Sequence, residues 1–266
     1  MRSGSAGARG SVLLPRAQAP AIVTADPRSA AGLDAILAIV PCPASAAAFR
    51  GLPESARWRE LHERMPARAG TVRTTVLGNR RHTLAVLGYL ADQASAFERL
   101  TLAGRMLKEA AAHAPQAIGL TAAGTGAMVR SSLEALLAAA LAQAFALPSF
   151  RAPVRAERHI RRVVLLGRER IDTRYAAAAA RGTNLARWLT ALPPNVLDAR
   201  GYRKALVQLA RAHGLTLRWL DERALRRAGA NAFLAVAAGN AAGGAGIAHL
   251  TYRPKRRRRG ARPDLA

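Results

Sequence analysis

Ala35-Ile36-Leu37-Ala38-Ile39-Val40 is an unbroken run of six apolar residues, stopped by Pro41 and Pro43. A run this short and without alternation reads as a strand buried on both faces. Ala117-Ile118-Gly119-Leu120-Thr121 and Val163-Val164-Leu165-Leu166-Gly167 are of the same kind. Segments with helical spacing lie between them. Ala94 to His113 puts Phe97, Leu100, Met106 and Leu107 roughly on one side, and Pro115 ends it. Ser131 begins a second helix: Ser131 and Glu134 have the S-x-x-E spacing of a capping box, Leu133, Leu136, Leu137, Leu141 and Phe145 follow on one face, and Pro148 terminates it. Glu54 to Arg64 reads as a charged surface helix ending before Pro66. Val72–Leu77 and His82–Leu87 flank Gly78-Asn79 as a hairpin would. Strand and helix alternate over residues 35–167, the pattern of an α/β domain.

Outward from this block, residues 1–25 carry Arg2, Arg9 and Arg16 and no acid before Asp26. They are expected to form a loose N-terminal extension, although an Arg-rich, acid-poor start also resembles an organelle transit peptide. On the other side, Asp172 can cap a helix that runs through Ala176–Ala180 to Leu192, where Pro193-Pro194 stops it. Asp198 can cap a helix from Ala199 to His213, ended by Gly214. Leu215–Leu220 alternates as a strand, Glu222–Ala228 is a short helix, and Phe233–Val236 and Ile247–Tyr252 read as two further strands. The expected domains are therefore a loose extension at 1–30, an α/β domain at 31–167, and the opening of a second α/β domain at 168–266.

Among the 266 residues, 41 Lys and Arg face 16 Asp and Glu, a formal charge of +25. Half the residues are apolar, enough for a core, which excludes wholesale disorder. No apolar run reaches the about 18 residues of a transmembrane helix. A lone cysteine, Cys42, excludes an internal disulfide and a cysteine-rich metal site, and nothing around it marks a nucleophile. Only Lys108, Lys204 and Lys255 are lysines, so the positive charge is almost wholly arginine. Such a field attracts phosphates, and an arginine bias on an ordinary surface produces the same composition. Lys255-Arg256-Arg257-Arg258-Arg259 is the densest run. It is the candidate nucleic-acid site, acting through counterion release, with a solvated loop as the alternative. His62, His82, His113, His159, His213 and His249 are scattered, without the i, i+4 spacing of a metal-binding helix. Gly124-Thr125-Gly126 precedes a helix; it offers N–H groups to an anion or is a plain turn.

From residue 172 onward the chain resembles the leucyl (cytosol) aminopeptidases. Asn184-Leu185-Ala186-Arg187-Trp188-Leu189 resembles that family's N-x-A-R-x-L helix, and Pro193-Pro194-Asn195-Val196-Leu197 its P-P-N-x-L turn. His213-Gly214-Leu215, Leu220-Asp221-Glu222 and Ala228–Val236 follow in the family's order, and Tyr252-Arg253-Pro254 resembles its Y-x-P strand exit. Residues 35–167 are compatible with the family's variable N-terminal α/β domain. The resemblance implies a hydrolase using two divalent metals (Zn or Mn) to remove N-terminal residues from peptides, assembled as a hexamer in the cytoplasm. It also implies where the chemistry should sit: a G-K-G-x-x-F-D-x-G-G motif and an N-T-D-A-E-G-R motif, neither of which occurs in this sequence. No catalytic or metal residue can therefore be carried over. The expectation is an incomplete catalytic domain that is inactive alone, taking peptide substrates only if completed, with a basic nucleic-acid-binding or accessory role as the alternative.

Overall fold

The computed structural model describes residues 13–16, 19–26, 29, 32–64, 67–150, 159–240 and 243–253. Arg16–Arg187 forms one compact unit, and the other comprises Met1–Pro15 and Trp188–Ala266. The fold class is α/β, as expected.

The first unit is built on a six-stranded sheet. Its strands are β1 (Ala21–Ala25), β2 (Ala35–Cys42), β3 (Val72–Val76), β4 (Leu84–Ala91), β5 (Ala117–Ala122) and β6 (Arg162–Leu166), in the spatial order β1-β6-β5-β2-β4-β3. All neighbours are parallel except β3, which pairs antiparallel with β4 through the hairpin read from Gly78-Asn79. The sheet is covered on both faces, which is why its central strands are continuously apolar rather than alternating. Leu37, Ile39, Val86, Leu120 and Leu165 point to one core, shared with helices α2 (Ala96–Ala111) and α3 (Gly126–Gln143). Ile36, Ala38, Val40, Leu87 and Leu166 point to the other, where Phe49 comes from a short 3-10 turn, Leu52 from the turn after it and Trp58 from helix α1 (Ser55–Glu63). Trp58 is fully buried and its Nε1 donates to the Pro53 carbonyl at 2.8 Å, so the largest core side chain leaves no polar atom unpaired.

One carboxylate ties the ends of these strands together. Asp34, just before β2, accepts from the backbone N–H groups of Gln116 and Ala117 at 2.9 Å each, and from Arg81 Nη2 at 2.9 Å. Burial pushes its pKa up, but the Ala117 N–H, Arg81 and the Gln116 N–H outweigh that and hold it below the usual carboxylate value.

Several expectations are corrected. Residues 21–25, inside the expected loose extension, form β1, an edge strand paired with β6. β2 does not stop at Pro41 but runs through it to Cys42. The Ile39 carbonyl accepts from Ala123 on the β5 side. Pro41, two residues on, faces that same side beyond the end of β5, where its missing N–H has nothing to pair with. Helix α3 begins at Gly126 with Thr125 as its N-cap, so Ser131 lies within it and donates to the Met128 carbonyl. The capping box belongs instead to Ser95 and Glu98 at the start of α2, where both reciprocal bonds are formed. On α2, Met106 and Leu107 are buried as expected, but Phe97 is 78% and Leu100 48% exposed. The buried stripe is centred on Leu102, Ala103, Met106 and Ala110, and Phe97 and Leu100 fall off it.

Helix α4 (Thr173–Ala191) starts where Asp172 accepts from Tyr175 N at 2.9 Å. Its early alanines Ala176 and Ala180 pack against the first core, and the first compact unit extends to Arg187. In the second unit, α5 (Ala199–His213) is capped by Asp198, which accepts from Gly201 N at 2.6 Å, and ends at Gly214 in the left-handed conformation. Strands β7 (Thr216–Asp221) and β8 (Gly246–Thr251) form at the runs expected as strands, Leu215–Leu220 and Ile247–Tyr252, and they pair antiparallel. Helix α6 (Glu222–Arg227) follows β7 directly, capped by Asp221. The expected strand at Phe233–Val236 is instead helix α7 (Asn231–Ala237). A four-residue apolar run fits either period, and here the Leu234 and Ala238 N–H groups close helical bonds to Ala230 and Leu234.

Candidate functional site

The aminopeptidase-like segment begins on α4, and its first polar residues hold structure. Asn184 is buried; its Nδ2 donates to the Leu141 carbonyl at 3.2 Å. Arg187 Nη1 donates to the Ala142 carbonyl at 2.9 Å and to Asn184 Oδ1 at 2.7 Å. Leu141 and Ala142 lie in the last turn of α3, whose carbonyls lack intrahelical partners and carry the negative end of the helix dipole. The N-x-A-R spacing thus puts an amide and a cation where a helix end needs donors. Beyond it, the Val196 and Leu197 N–H groups both donate to the Pro193 carbonyl at 2.9 Å, so the P-P-N-x-L segment is a tight turn that presents Asp198 as the cap of α5.

A groove of about 740 Å³ runs between α2, α3 and α4. Leu100, Leu107 and the small residues Ala135, Ala139 and Ala176 line it, and its polar lining includes Arg99, Glu134, Asp172, Tyr175 and Arg187. Alanines on facing helices leave this space because their side chains are too short to fill it.

The remaining sequence candidates are dispersed. His62 lies at the carboxyl end of the sheet, its Nδ1 3.0 Å from the Tyr89 hydroxyl and its ring 5.2 Å from Phe49. Burial raises the Tyr89 pKa, with Arg73, 5.7 Å over the ring, opposing the rise. Cys42 is half-buried and its thiol donates to the Ala67 carbonyl at 3.5 Å. His82 sits in the turn between β3 and β4, and His249 on β8 pairs across from Arg218. Gly124-Thr125-Gly126 forms the turn that caps α3, with Thr125 Oγ1 accepting from Met128 N. Lys255, Arg256, Arg257, Arg258 and Arg259 lie outside the described residues. Among the described residues, no helix is long and apolar enough to cross a membrane.

Comparison with known proteins first defines the class by fold. The chain is similar to a tomato leucine aminopeptidase mutant (TM-score 0.70, 17% identity), over 92% of this chain and 54% of that one. It is also similar to the bottromycin maturation enzyme BotP in complex with Mn (TM-score 0.59, 20% identity, 84% and 46% covered). A leucyl aminopeptidase from Trypanosoma brucei aligns with a TM-score of 0.56 at 14% identity, over 79% of this chain and 45% of that one. The family then enters through the sequence: residues 184–262 match the catalytic domain of the cytosol aminopeptidase family. Probable cytosol aminopeptidases of Streptomyces coelicolor and Streptomyces avermitilis are 39% and 38% identical over 85 and 87 residues, 30% of this chain in each case. The resemblance read from the sequence is thereby borne out. The chain spans about half the length of the solved relatives, and the matched segment 16–17% of the curated ones.

The fold family implies divalent metals. Among the described residues, no three His, Cys, Asp or Glu side chains come together as ligands. Of the three acids within the family-matched segment, Asp198 and Asp221 cap helices through short bonds to backbone N–H groups, which leaves Glu222. The described residues do not fit a two-metal centre.

Proposed function

We infer that this chain is a leucyl-aminopeptidase-like protein that does not hydrolyse peptides by itself. The supporting observation is a mismatch within one segment. Residues 184–262 match the family's catalytic domain, yet the sequence contains neither metal-binding motif, and the described residues gather no ligand set. Two-metal hydrolysis needs several oxygen or nitrogen donors at one point to lower the pKa of a bridging water, and that pKa shift is lost without them. What the segment does supply is framework: the α3-capping pair on α4, the turn at Pro193, and the α5–β7–β8 layer.

In this reading, removal of N-terminal residues from peptides, the Zn or Mn ions it uses, and hexameric self-association are properties of proteins that carry the remaining motifs. A cytoplasmic location goes with the reading, supported by the relatives being cytosol aminopeptidases. The test is leucine-anilide hydrolysis by the purified chain with added Mn²⁺ or Zn²⁺. No turnover above the metal-only blank is expected. Metal-dependent turnover that co-elutes with the chain overturns the reading.

A further inference from the structure

We propose that the groove between α2, α3 and α4 binds a single-chain amphiphilic monocarboxylate, a fatty-acid-like molecule whose apolar chain lies along α3 and whose carboxylate meets Arg99. The inference stands whether or not the chain hydrolyses peptides, and every residue lining the groove belongs to the first unit. A volume of about 740 Å³ is that of a small-molecule site. Ser131 and Gln143 both line it, and the length of α3 between them is about 18 Å. That length suits an extended chain of about a dozen carbons with a terminal carboxylate, its bonds of about 1.5 Å laid in zigzag.

Both walls are open where a packed core would be filled. Gly104 stands in the middle of α2 on the groove side. Glycine there weakens the helix relative to alanine. A Cβ at Gly104 would meet no atom within 4 Å, so no close approach demands the glycine. Across the groove, α4 has 19 residues and buries only Asn184. Its alanines Ala176, Ala179 and Ala180 line the space without filling it. An apolar chain laid there takes Leu100 and these methyl groups out of water, which is the driving force for binding.

Arg99 selects the head group. It lines the groove, it is half-buried, and no carboxylate among the described residues lies within ion-pair distance of it. Glu98, next in sequence, is held by the Ser95 N–H and hydroxyl. A guanidinium partly withdrawn from water gains most from a planar acceptor with two oxygens, which a carboxylate supplies. Arg187 is already engaged, donating to the Ala142 carbonyl and to Asn184 Oδ1. Glu134 and Asp172 also line the groove, but both are exposed and hydrated. Their repulsion grows with the charge of the ligand, which favours a monocarboxylate over a phosphate ester.

The experiment is calorimetric titration of the full chain with dodecanoate, dodecyl phosphate and dodecylammonium, each below its micelle concentration. Saturable binding of dodecanoate, tighter than that of the other two, is expected. Two variants fill the groove without touching a charge: Gly104→Leu, which also improves the helix, and Ala179→Leu on the exposed side of α4. Each should abolish dodecanoate binding while keeping a cooperative thermal transition. R99Q should weaken dodecanoate about tenfold and leave dodecylammonium no weaker, whereas R80Q, which removes an exposed arginine elsewhere in the first unit, should change neither. Dodecanoate binding that survives both filling variants overturns the proposal, as does an equal loss in R80Q and R99Q. So does tighter binding of either other amphiphile, or no saturable binding at all. A monomer–dimer equilibrium that Gly104→Leu abolishes, with no dodecanoate bound, assigns the groove to a second copy of the chain and equally overturns it.

Discussion

Replacing Asp34 tests how the first unit is fastened. Its Oδ2 accepts two backbone N–H groups at the entry to β5, and its Oδ1 accepts from Arg81 in the β3–β4 turn. A hydrogen bond to a charged group contributes about 1.5–3 kcal/mol, and a buried donor left unpaired costs about 1–3 kcal/mol. Gln116 is half-buried and can recover water more readily than Ala117, which is buried. D34A is therefore expected to cost about 3 kcal/mol, dominated by the orphaned Ala117 N–H and the lost charge. D34N keeps one amide oxygen for the two N–H groups and loses the ion pair, so about half that cost is expected. For a unit of this size, 3 kcal/mol corresponds to roughly 6–12 °C in Tm. The native pKa is depressed, so the carboxylate's contribution is fully present above the unfolded value near 4 and is lost as pH falls through the lower native value. The assay is thermal unfolding of wild type, D34N and D34A between neutral pH and pH 3, with hydrogen exchange at Gln116 and Ala117. The gap between wild type and D34N should narrow toward the acid end. A gap that is constant with pH, or unaltered exchange at Ala117, refutes the reasoning.

Ser95→Ala removes the hydroxyl that accepts from the Glu98 N–H, while the Ser95 N–H to Glu98 half of the α2 capping box is retained, and should destabilise by about 1 kcal/mol in urea unfolding; Ser131→Ala, within α3, should be close to neutral. Ser132 is fully buried and its hydroxyl has no hydrogen-bond partner among the described residues, so Ser132→Ala should raise stability by about 1 kcal/mol; a loss of that size would mean a partner exists. Asn184→Ala exposes the Leu141 carbonyl to an apolar surrounding and should cost about 1–3 kcal/mol, visible as faster exchange in the last turn of α3 and the middle of α4. Gly246→Ala would place a Cβ 2.6 Å from the Trp219 ring and 2.7 Å from the Leu220 carbonyl, so the β7–β8 pair must shift; a changed Trp emission maximum should accompany reduced stability.

The sheet was legible because burial on both faces writes β2, β5 and β6 as plain apolar runs. Asp172 and Asp198 were equally readable, since a carboxylate before a helical period has one common use. The failures are also specific. S-x-x-E occurs at Ser131 and at Ser95, and only the second lies at a helix start; spacing alone carries no information about where the preceding backbone turns. β1 was missed because an edge strand, half exposed, lacks the apolar signature of the centre. Phe233–Val236 is too short for its period to separate strand from helix. In the aminopeptidase-like segment the family was recognisable, but the structural use of Asn184 and Arg187 depends on where α3 ends, which is a tertiary fact.

The pairing of β1 with β6 joins Ala21–Ala25 to Arg162–Leu166 across most of the first unit. During synthesis, β1 leaves the ribosome first among these strands, yet its partner follows about 140 residues later, roughly 10–30 s at ordinary elongation rates. Throughout that interval the nascent sheet lacks its outer border, and the N-terminal segment is open to proteases and chaperones. Translation speed across the codons before Arg162 is therefore a lever on yield, one that acts without changing a single side chain.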